Sequence, residues 1–147
     1  MRNSQKNLKG FTLIEILVVV ALIAILAAIT IIAINPQQNF QDARNTQRSS
    51  DVTQILNAVT QYTAQQGNAL GDLGTIPGCT TDTVCVGTST ACVDLSANLV
   101  PTFLVSIPED PQGGTAADTG YEICQEASGR VTVSAPGAES ATIVVSR

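Results

Sequence analysis

The side chains that could do chemistry are few and of restricted types. The 147-residue chain has four cysteines and twelve carboxylates, but no histidine and no tryptophan. Histidine is the commonest general base and the commonest metal ligand in proteins. Its absence excludes Ser-His-Asp hydrolases, Cys-His proteases and zinc sites that use histidine. We therefore predict that the chain is not an enzyme and has no catalytic residues.

The four cysteines could ligate a metal or form two disulfides. They are Cys79, Cys85, Cys92 and Cys124. A four-cysteine zinc site is disfavoured because no CxxC pair is present, so no metal site is predicted. Two disulfides have three possible connectivities. We expect Cys79 to pair with Cys85 and Cys92 with Cys124, since the second bond would tie a loop to a sheet.

The other acidic residues are predicted to lie on the protein surface rather than to take part in catalysis. A carboxylate pair of the glycosidase type is left open by their spacing, but a solvated surface is favoured. The net charge of −5 argues against a nucleic-acid partner, which would require a basic face. These scattered acids are Asp72, Asp82, Asp94, Glu109, Asp110, Asp118, Glu122 and Glu126.

One carboxylate lies in an apolar environment and needs an explanation. Glu15 belongs to the 24-residue run from Phe11 to Ile34, in which Thr12 and Thr30 are the other polar residues. A charge in a membrane helix costs roughly 2.5–3.5 kcal/mol at mid-bilayer and marks a functional site by default. The preceding cation, Lys9, is not on the same helical face. We therefore expect the partner of Glu15 to come from the interface, another chain or a new amino terminus.

The apolar run itself predicts a membrane-spanning helix. As a helix, its 24 residues extend about 36 Å, enough to cross a bilayer core. Three basic residues and no acid precede the run, whereas four basic residues and eleven acids follow it. The positive-inside rule therefore places residues 1–10 in the cytoplasm and the rest outside the membrane.

Two other interpretations of the run are weaker. A cleaved secretory signal has an apolar region of about 7–15 residues before a small-x-small site, and this run is longer despite Ala24, Ala27 and Ala28. A core helix of a soluble protein is disfavoured because the run is apolar on every face.

The segment Lys9-Gly10-Phe11-Thr12-Leu13-Ile14-Glu15 resembles the class III signal sequence of type IV pilins and type II secretion pseudopilins. In that family a basic leader is cleaved after a glycine, the new first residue is a methylated phenylalanine, and a glutamate lies four residues later. The resemblance implies cleavage between Gly10 and Phe11 and N-methylation of Phe11. It also implies that Glu15 neutralises the Phe11 ammonium of a neighbouring subunit. The alternative is a Glu15 side chain that reaches the lipid headgroups.

Beyond the run, the sequence predicts a second helical segment. Asn35-Pro36 predicts a kink, because proline removes a backbone donor and clashes with the preceding turn. Residues 37–66 lack breakers, and an apolar stripe recurs at helical spacing: Val52, Ile55, Leu56, Val59 and Tyr62. The charged residues upstream are expected on a solvated or subunit-facing surface: Asp42, Arg44, Arg48 and Asp51.

Residues 67–147 predict a small α+β head. A loop over residues 67–94 carries three of the cysteines, and an apolar piece at residues 95–105 and a turn rich in proline and glycine at 107–114 follow. Three strands are predicted at residues 120–125, 130–135 and 141–146, with connections short enough for an antiparallel meander. The expected fold is a long helix packed on this sheet, as the pilin resemblance also implies.

Part of the head resembles the carboxy-terminal half of the major pseudopilin. The similar residues are the turn Ile107–Gly113, Tyr121 and the segment Pro136–Glu139. That subfamily binds calcium through several aspartates, whereas the matching stretch here has Glu139 and Ser140. A turn and a hairpin connection are therefore favoured over a calcium site, and no cofactor is predicted.

The predicted organisation is a leader at residues 1–10, a transmembrane and polymerisation helix at 11–34, its amphipathic continuation at 35–66 and an extracytoplasmic head at 67–147. We expect a structural subunit of a type IV pilus-like filament on the cell surface. The implied partners are other copies or related pilins, the prepilin peptidase and methyltransferase, an inner-membrane assembly platform and, before assembly, lipid. The alternatives are a type II secretion pseudopilin and a membrane-anchored binding or adhesion domain that does not polymerise.

Overall fold

The computed structural model describes residues 10–147. The chain divides into two compact units, one ending at Asn39 and the other covering Phe40–Arg147. The helices are α1 (Leu13–Ile34), α2 (Pro36–Thr63) and α3 (Ser96–Leu99), with a short 3-10 helix at Leu70–Leu73. The strands are β1 (Val84–Cys85), β2 (Glu122–Gln125), β3 (Val131–Ser134) and β4 (Val144–Ser146).

Helix α1 is apolar on all sides. It contains 22 residues, or about 33 Å, and none of them is buried. The segment that starts at Leu13 reaches a mean hydropathy of 3.3, so it is long and apolar enough to cross a membrane. An apolar helix that its own chain does not cover requires lipid or other protein around it.

The break between the two long helices lies at Asn35. This residue has a φ of 44° and a ψ of 73°, the left-handed conformation that ends a helix. Pro36 is the first residue of α2, where its missing N–H costs nothing and its fixed φ suits the helix. The backbone N–H groups of Gln38 and Asn39 donate to the Asn35 carbonyl oxygen at 3.1 and 3.3 Å. The predicted kink near Pro36 is confirmed, and Asn35 is the residue that makes it.

The apolar stripe of α2 forms one wall of the core. All five predicted stripe residues are buried, and the helix ends at Thr63, three residues before the predicted end. The opposite wall comes from the sheet and from the loop around α3. Its largest fully buried contributors are Leu95, Leu99, Tyr121, Ile123 and Val133.

The four strands form an antiparallel meander in the order β1-β2-β3-β4. In the central pair, Glu122 lies opposite Ser134 and Gln125 lies opposite Val131. The three predicted strands are confirmed as β2, β3 and β4, each shorter than predicted. Strand β1 was not predicted, because its two residues show no alternation that would distinguish them from the surrounding loop.

Two disulfides are present, but the pairing favoured from the sequence is wrong. The bonds join Cys79 to Cys124 and Cys85 to Cys92. The backbone N–H of Cys79 donates to the Gln125 carbonyl oxygen at 2.9 Å, which holds Cys79 beside the strand that carries Cys124. The chain after Cys85 turns back at once, and the N–H of Val93 donates to the Cys85 carbonyl oxygen at 2.8 Å. The loop is therefore tied to the sheet through Cys79 rather than through Cys92.

Candidate functional site

The predicted cleavage point lies just before the first helix. Phe11 is 79% exposed, and α1 begins at Leu13 with Thr12 as its N-cap. A Cβ atom added to Gly10 would meet no atom within 4 Å. Packing within the described chain therefore does not require glycine at this position. Residues 1–9 of the predicted leader lie outside the described residues.

Glu15 has a local hydrogen-bond partner that the sequence reasoning missed. Its backbone N–H donates to Thr12 Oγ1 at 3.2 Å, and its Oε2 accepts from the Thr12 backbone N–H at 3.4 Å. This reciprocal capping box satisfies two free donors of the helix start. A neutral N–H at 3.4 Å does not neutralise a carboxylate. Among the residues that the structure describes, Glu15 takes part in no ion pair.

The exposed surface of α1 is continuous along its length. Its large aliphatic side chains range in exposure from 47% at Val19 to 84% at Leu13. Besides the Glu15 contact, the Thr30 side chain also forms a hydrogen bond in this segment, from its Oγ1 to the Ala27 carbonyl oxygen at 2.9 Å. The Thr30 hydroxyl therefore donates its proton within the helix and does not offer it to a neighbouring molecule. Apart from the Glu15 carboxylate, what α1 offers to a neighbour is apolar surface.

A buried arginine organises the junction between α2 and the head. Arg48 is fully buried, and its Nε and Nη2 donate to the two carboxylate oxygens of Asp110 at 2.6 and 3.0 Å. Nη2 also donates to Gln112 Oε1 at 2.9 Å, and Nη1 donates to Asn45 Oδ1 at 3.1 Å. A bidentate arginine–carboxylate pair of this kind is geometrically specific.

A second arginine extends this network. Arg44 Nε and Nη2 donate to the carboxylate oxygens of Glu139 at 2.6 and 2.7 Å, and Arg48 Nη1 reaches the same carboxylate at 3.3 Å. The Asn45 side chain donates to the Glu139 carbonyl oxygen at 2.7 Å and accepts from its backbone N–H at 3.0 Å. Glu139 is thus held by both its side chain and its backbone.

The electrostatics keep this network ionised at neutral pH. The hydrogen bonds from Arg48 hold the pKa of Asp110 below its usual value, against the opposing effect of burial. The hydrogen bonds from Arg44 likewise lower the pKa of Glu139. The pKa values of both arginines are raised, chiefly by their hydrogen bonds to these carboxylates.

The expected solvated surface of α2 is therefore partly wrong. Asp42 is exposed, but Arg48 and Asp51 are buried and Arg44 is half-buried. Asp51 Oδ2 accepts a hydrogen bond from the Tyr121 hydroxyl at 2.8 Å, and burial raises the pKa of that hydroxyl well above its usual value. The sequence did contain a signal: two like charges four residues apart repel each other on a helix face unless acids from elsewhere contact them.

The pseudopilin-like segments meet at Arg48. Asp110 comes from the 107–113 turn and Glu139 from the connection after β3, and both contact this guanidinium. Gly137 lies against this pair, where a Cβ atom would be only 3.2 Å from Asp110 Oδ2. The absence of a side chain therefore allows the close approach. The carboxylates that a metal would need are engaged by arginine. The segments form the turn and the hairpin connection that the sequence favoured.

The scattered acids are mostly exposed, as predicted, and several of them cap local turns. Asp72 accepts from the Ala69 N–H at 2.7 Å, and Asp82 accepts from the Thr83 N–H at 2.9 Å. Glu122 and Glu126 are half-buried, and Asp110 is buried against Arg48. These contacts are structural.

Comparison with known proteins identifies a motif in the amino-terminal segment. A model of the prokaryotic N-terminal methylation motif matches residues 5–34, which include Gly10, Phe11 and Glu15. No curated protein and no solved structure matches the chain. The motif is the class III, prepilin-type signal, and the fold is a bent amino-terminal helix with an antiparallel sheet. The chain therefore carries a prepilin-type N-terminal methylation motif on a pilin-like α+β fold, which is consistent with the type IV pilin and pseudopilin family.

Proposed function

We propose that this protein is a structural subunit of a type IV pilus-like filament. It is cleaved after Gly10, N-methylated at Phe11 and polymerised through α1. The observation that carries this proposal is a methylation motif followed by an apolar helix in which no residue is buried. Such a helix must be surrounded by lipid in the precursor and by neighbouring helices in a filament.

The apolar surface of α1 is large enough to hold the precursor in a membrane, but it does not by itself drive transfer into a filament. Fully burying a leucine, isoleucine or valine contributes about 1.5–3 kcal/mol relative to leaving it exposed. Each of the large side chains of α1 leaves about half or more of its surface exposed. Transfer from lipid to a bundle of helices exchanges one apolar environment for another. Specificity must then come from polar groups and shape.

The charge at Glu15 supplies one such polar group. Cleavage after Gly10 removes Arg2, Lys6 and Lys9 and creates an ammonium at Phe11. We infer that this ammonium pairs with Glu15 of a neighbouring subunit. A desolvated pair is costly to break, so it sets the register between subunits. The 3.4 Å contact to Thr12 holds the carboxylate at the helix start until the new terminus forms.

The precursor is anchored in the inner membrane by α1, with the head outside the cytoplasm as the charge distribution predicts. The prepilin peptidase and methyltransferase would process its amino terminus, and an assembly platform would extract it from the membrane. The protein is structural and not catalytic. The two disulfides of the head support an oxidising location.

The pseudopilin alternative shares the processing and the helix packing. The 107–113 turn and the Glu139 connection favour it, because both resemble the major pseudopilin. A membrane-anchored adhesion domain that does not polymerise is the third candidate, and it would need neither cleavage nor α1 packing. These candidates differ in what is found outside the cell and at the amino terminus.

The decisive experiment is mass spectrometry of the mature amino terminus combined with electron microscopy of sheared surface material. We expect filaments whose subunit begins at methylated Phe11. A processed subunit confined to short periplasmic fibres in a secreting strain would favour the pseudopilin role. An intact Met1 in the cell envelope, without filaments, would overturn the proposal.

A further inference from the structure

The arginines of residues 40–147 fall into two groups. Among the described residues, the salt bridges involve only Arg44 and Arg48, which bind Glu139 and Asp110. Arg130 and Arg147 have no carboxylate partner within residues 10–147. Both are exposed.

These two arginines lie together at one end of the head. Arg130 follows the turn between β2 and β3, and the backbone N–H and carbonyl oxygen of Val131 pair with those of Arg147 at 2.9 and 3.0 Å. Arg130 Nη2 donates to the Ser146 carbonyl oxygen at 3.5 Å, and Arg147 Nη1 donates to Asn57 Oδ1 at 2.7 Å. We call this end the basic end.

The acid nearest in sequence to Arg130 does not neutralise it. Glu126 belongs to the same turn, but its two carboxylate oxygens accept hydrogen bonds from Thr132 and Ser128 at 3.1 and 3.3 Å. No ion pair forms between Glu126 and Arg130. The guanidinium of Arg130 is therefore available to a partner.

A cavity of about 280 Å³ elsewhere on the head has the complementary character. Its walls are largely apolar, with Val86, Leu95 and Ile107 among them, and two exposed acids, Asp94 and Glu109, also line it. Asp94 Oδ1 accepts hydrogen bonds from the backbone N–H and the hydroxyl of Ser96 at 2.9 and 2.5 Å, which leaves its Oδ2 and the Glu109 carboxylate for a partner. We call this site the acidic cavity.

The acidic cavity and the basic end lie toward opposite ends of the head. Glu109 precedes Asp110, which binds Arg48 in the first half of α2, whereas Arg147 binds Asn57 further along the helix. Nine residues of helix separate Arg48 from Asn57, or about 14 Å. The β2–β3 turn with Arg130 is likewise at the far end of the strands from Thr119, which lines the cavity.

We propose that Arg130 of one copy of this chain inserts into the acidic cavity of a second copy and pairs with Asp94 and Glu109. This inference rests on the proposed filament function and names a contact between the globular heads of two subunits in the filament. Arginine suits such a site because its alkyl stem packs on apolar walls while its fork binds carboxylates.

The basic end and the acidic cavity are different surfaces of the head, and this determines what kind of assembly the contact can form. A contact between two different surfaces of the same molecule is heterologous, and it produces rings or open filaments rather than closed dimers. The pair is partly enclosed by the cavity walls, so solvent screens it less than an ordinary surface pair. The heads would then help to set the axial order of the subunits.

A charge-exchange experiment tests the proposal in cells that express the full chain. We expect Arg130→Glu to reduce filament yield at least about tenfold, because it places like charges together. Adding Glu109→Arg to that variant should restore filaments. The control is Asp82→Arg, which reverses an exposed acid outside the acidic cavity and should leave the yield unchanged. Failure of the double variant to restore filaments despite normal membrane levels would overturn the contact.

A coupling experiment locates the contact directly. The only lysines of the chain are Lys6 and Lys9, both in the leader, so Arg130→Lys places a single lysine in the mature subunit. Zero-length carbodiimide treatment of filaments should then join position 130 to Glu109 or Asp94 in dimers and longer ladders. Arg44→Lys is the matched control, since its lysine should couple to Glu139 within one chain. Any ladder formed through the Phe11 amino group and Glu15 appears in both variants, so the coupled residues are mapped by mass spectrometry.

The outcomes separate this inference from the proposed function. Filaments of the Arg130→Lys variant that yield no intersubunit product at position 130, while the Arg44→Lys control couples internally, would overturn the contact and leave the filament function standing. Absence of filaments from the unaltered chain would overturn the filament function and the contact together. A ladder joined through Glu109 or Asp94 supports both.

Discussion

Removal of the Arg48 guanidinium should destabilise the head strongly. The change Arg48→Met keeps most of the side-chain volume but leaves Asp110, which is 8% exposed, without its bidentate partner. Breaking a buried ion pair by removing one partner typically costs 3–5 kcal/mol, because an uncompensated charge stays buried. We expect a loss of about 3–5 kcal/mol in the free energy of unfolding.

The pH dependence of this loss identifies its cause. In the unaltered chain the pKa of Asp110 is lowered, so the pair stabilises the fold above the unfolded pKa, and this contribution disappears as the pH falls through the folded pKa. In the variant the unpartnered carboxyl of Asp110 is buried, so its pKa should rise. Protonation should then remove the cost of keeping a charge buried. The stability difference between the two chains should therefore shrink as the pH drops below about 4.

The assay is urea unfolding of the full-length chain in detergent with its disulfides intact, followed by circular dichroism. The matched control is Arg48→Met combined with Asp110→Leu, which removes both charges and should recover most of the loss. A loss below about 1 kcal/mol for Arg48→Met, or one that does not change with pH, would refute the reasoning.

Four further changes test other elements. Gly10→Ala should leave insertion intact, because no atom lies within 4 Å of the added methyl group, but it should accumulate precursor that retains Met1 by mass spectrometry. Glu15→Leu should insert and be cleaved normally while filament yield falls, and normal filaments from this variant would contradict the pairing. Replacing Cys79 and Cys124 by serine should cost about 4 kcal/mol by urea unfolding, because a separation of 45 residues is closed. The same change at the other disulfide, with a separation of 7, should cost only about 2.4 kcal/mol.

The long helices and the processing signal were readable because their determinants are local. An apolar run predicts a membrane helix from its length and composition, and the Asn35-Pro36 break follows from backbone geometry. The buried stripe of α2 follows from helical spacing, so all five of its residues could be named in advance. The capping contact between Thr12 and Glu15 is equally local, because a threonine followed three residues later by a glutamate is the sequence pattern of a capping box.

The disulfide pairing and the arginine network depended on distant parts of the chain. Arg48 and Asp110 are 62 residues apart, and Cys79 and Cys124 are 45 apart. No spacing rule connects such positions, because the loop between them can fold back in many ways at a similar entropic cost. Strand β1 escaped prediction for the same reason, since two residues become a strand only when β2 lies beside them.

Two kinds of information can therefore be told apart in this protein. Periodicity, hydropathy and a short motif were enough to predict an apolar helix behind a methylation motif, followed by a small sheet domain, because each depends on neighbours within a few turns. The burial of Arg48, the partners of Glu139 and the separation of the acidic cavity from the basic end arise only when α2 packs on the sheet. Packing of α2 on the sheet brings together charges that are far apart in the sequence. Their positions therefore cannot be derived from local sequence patterns.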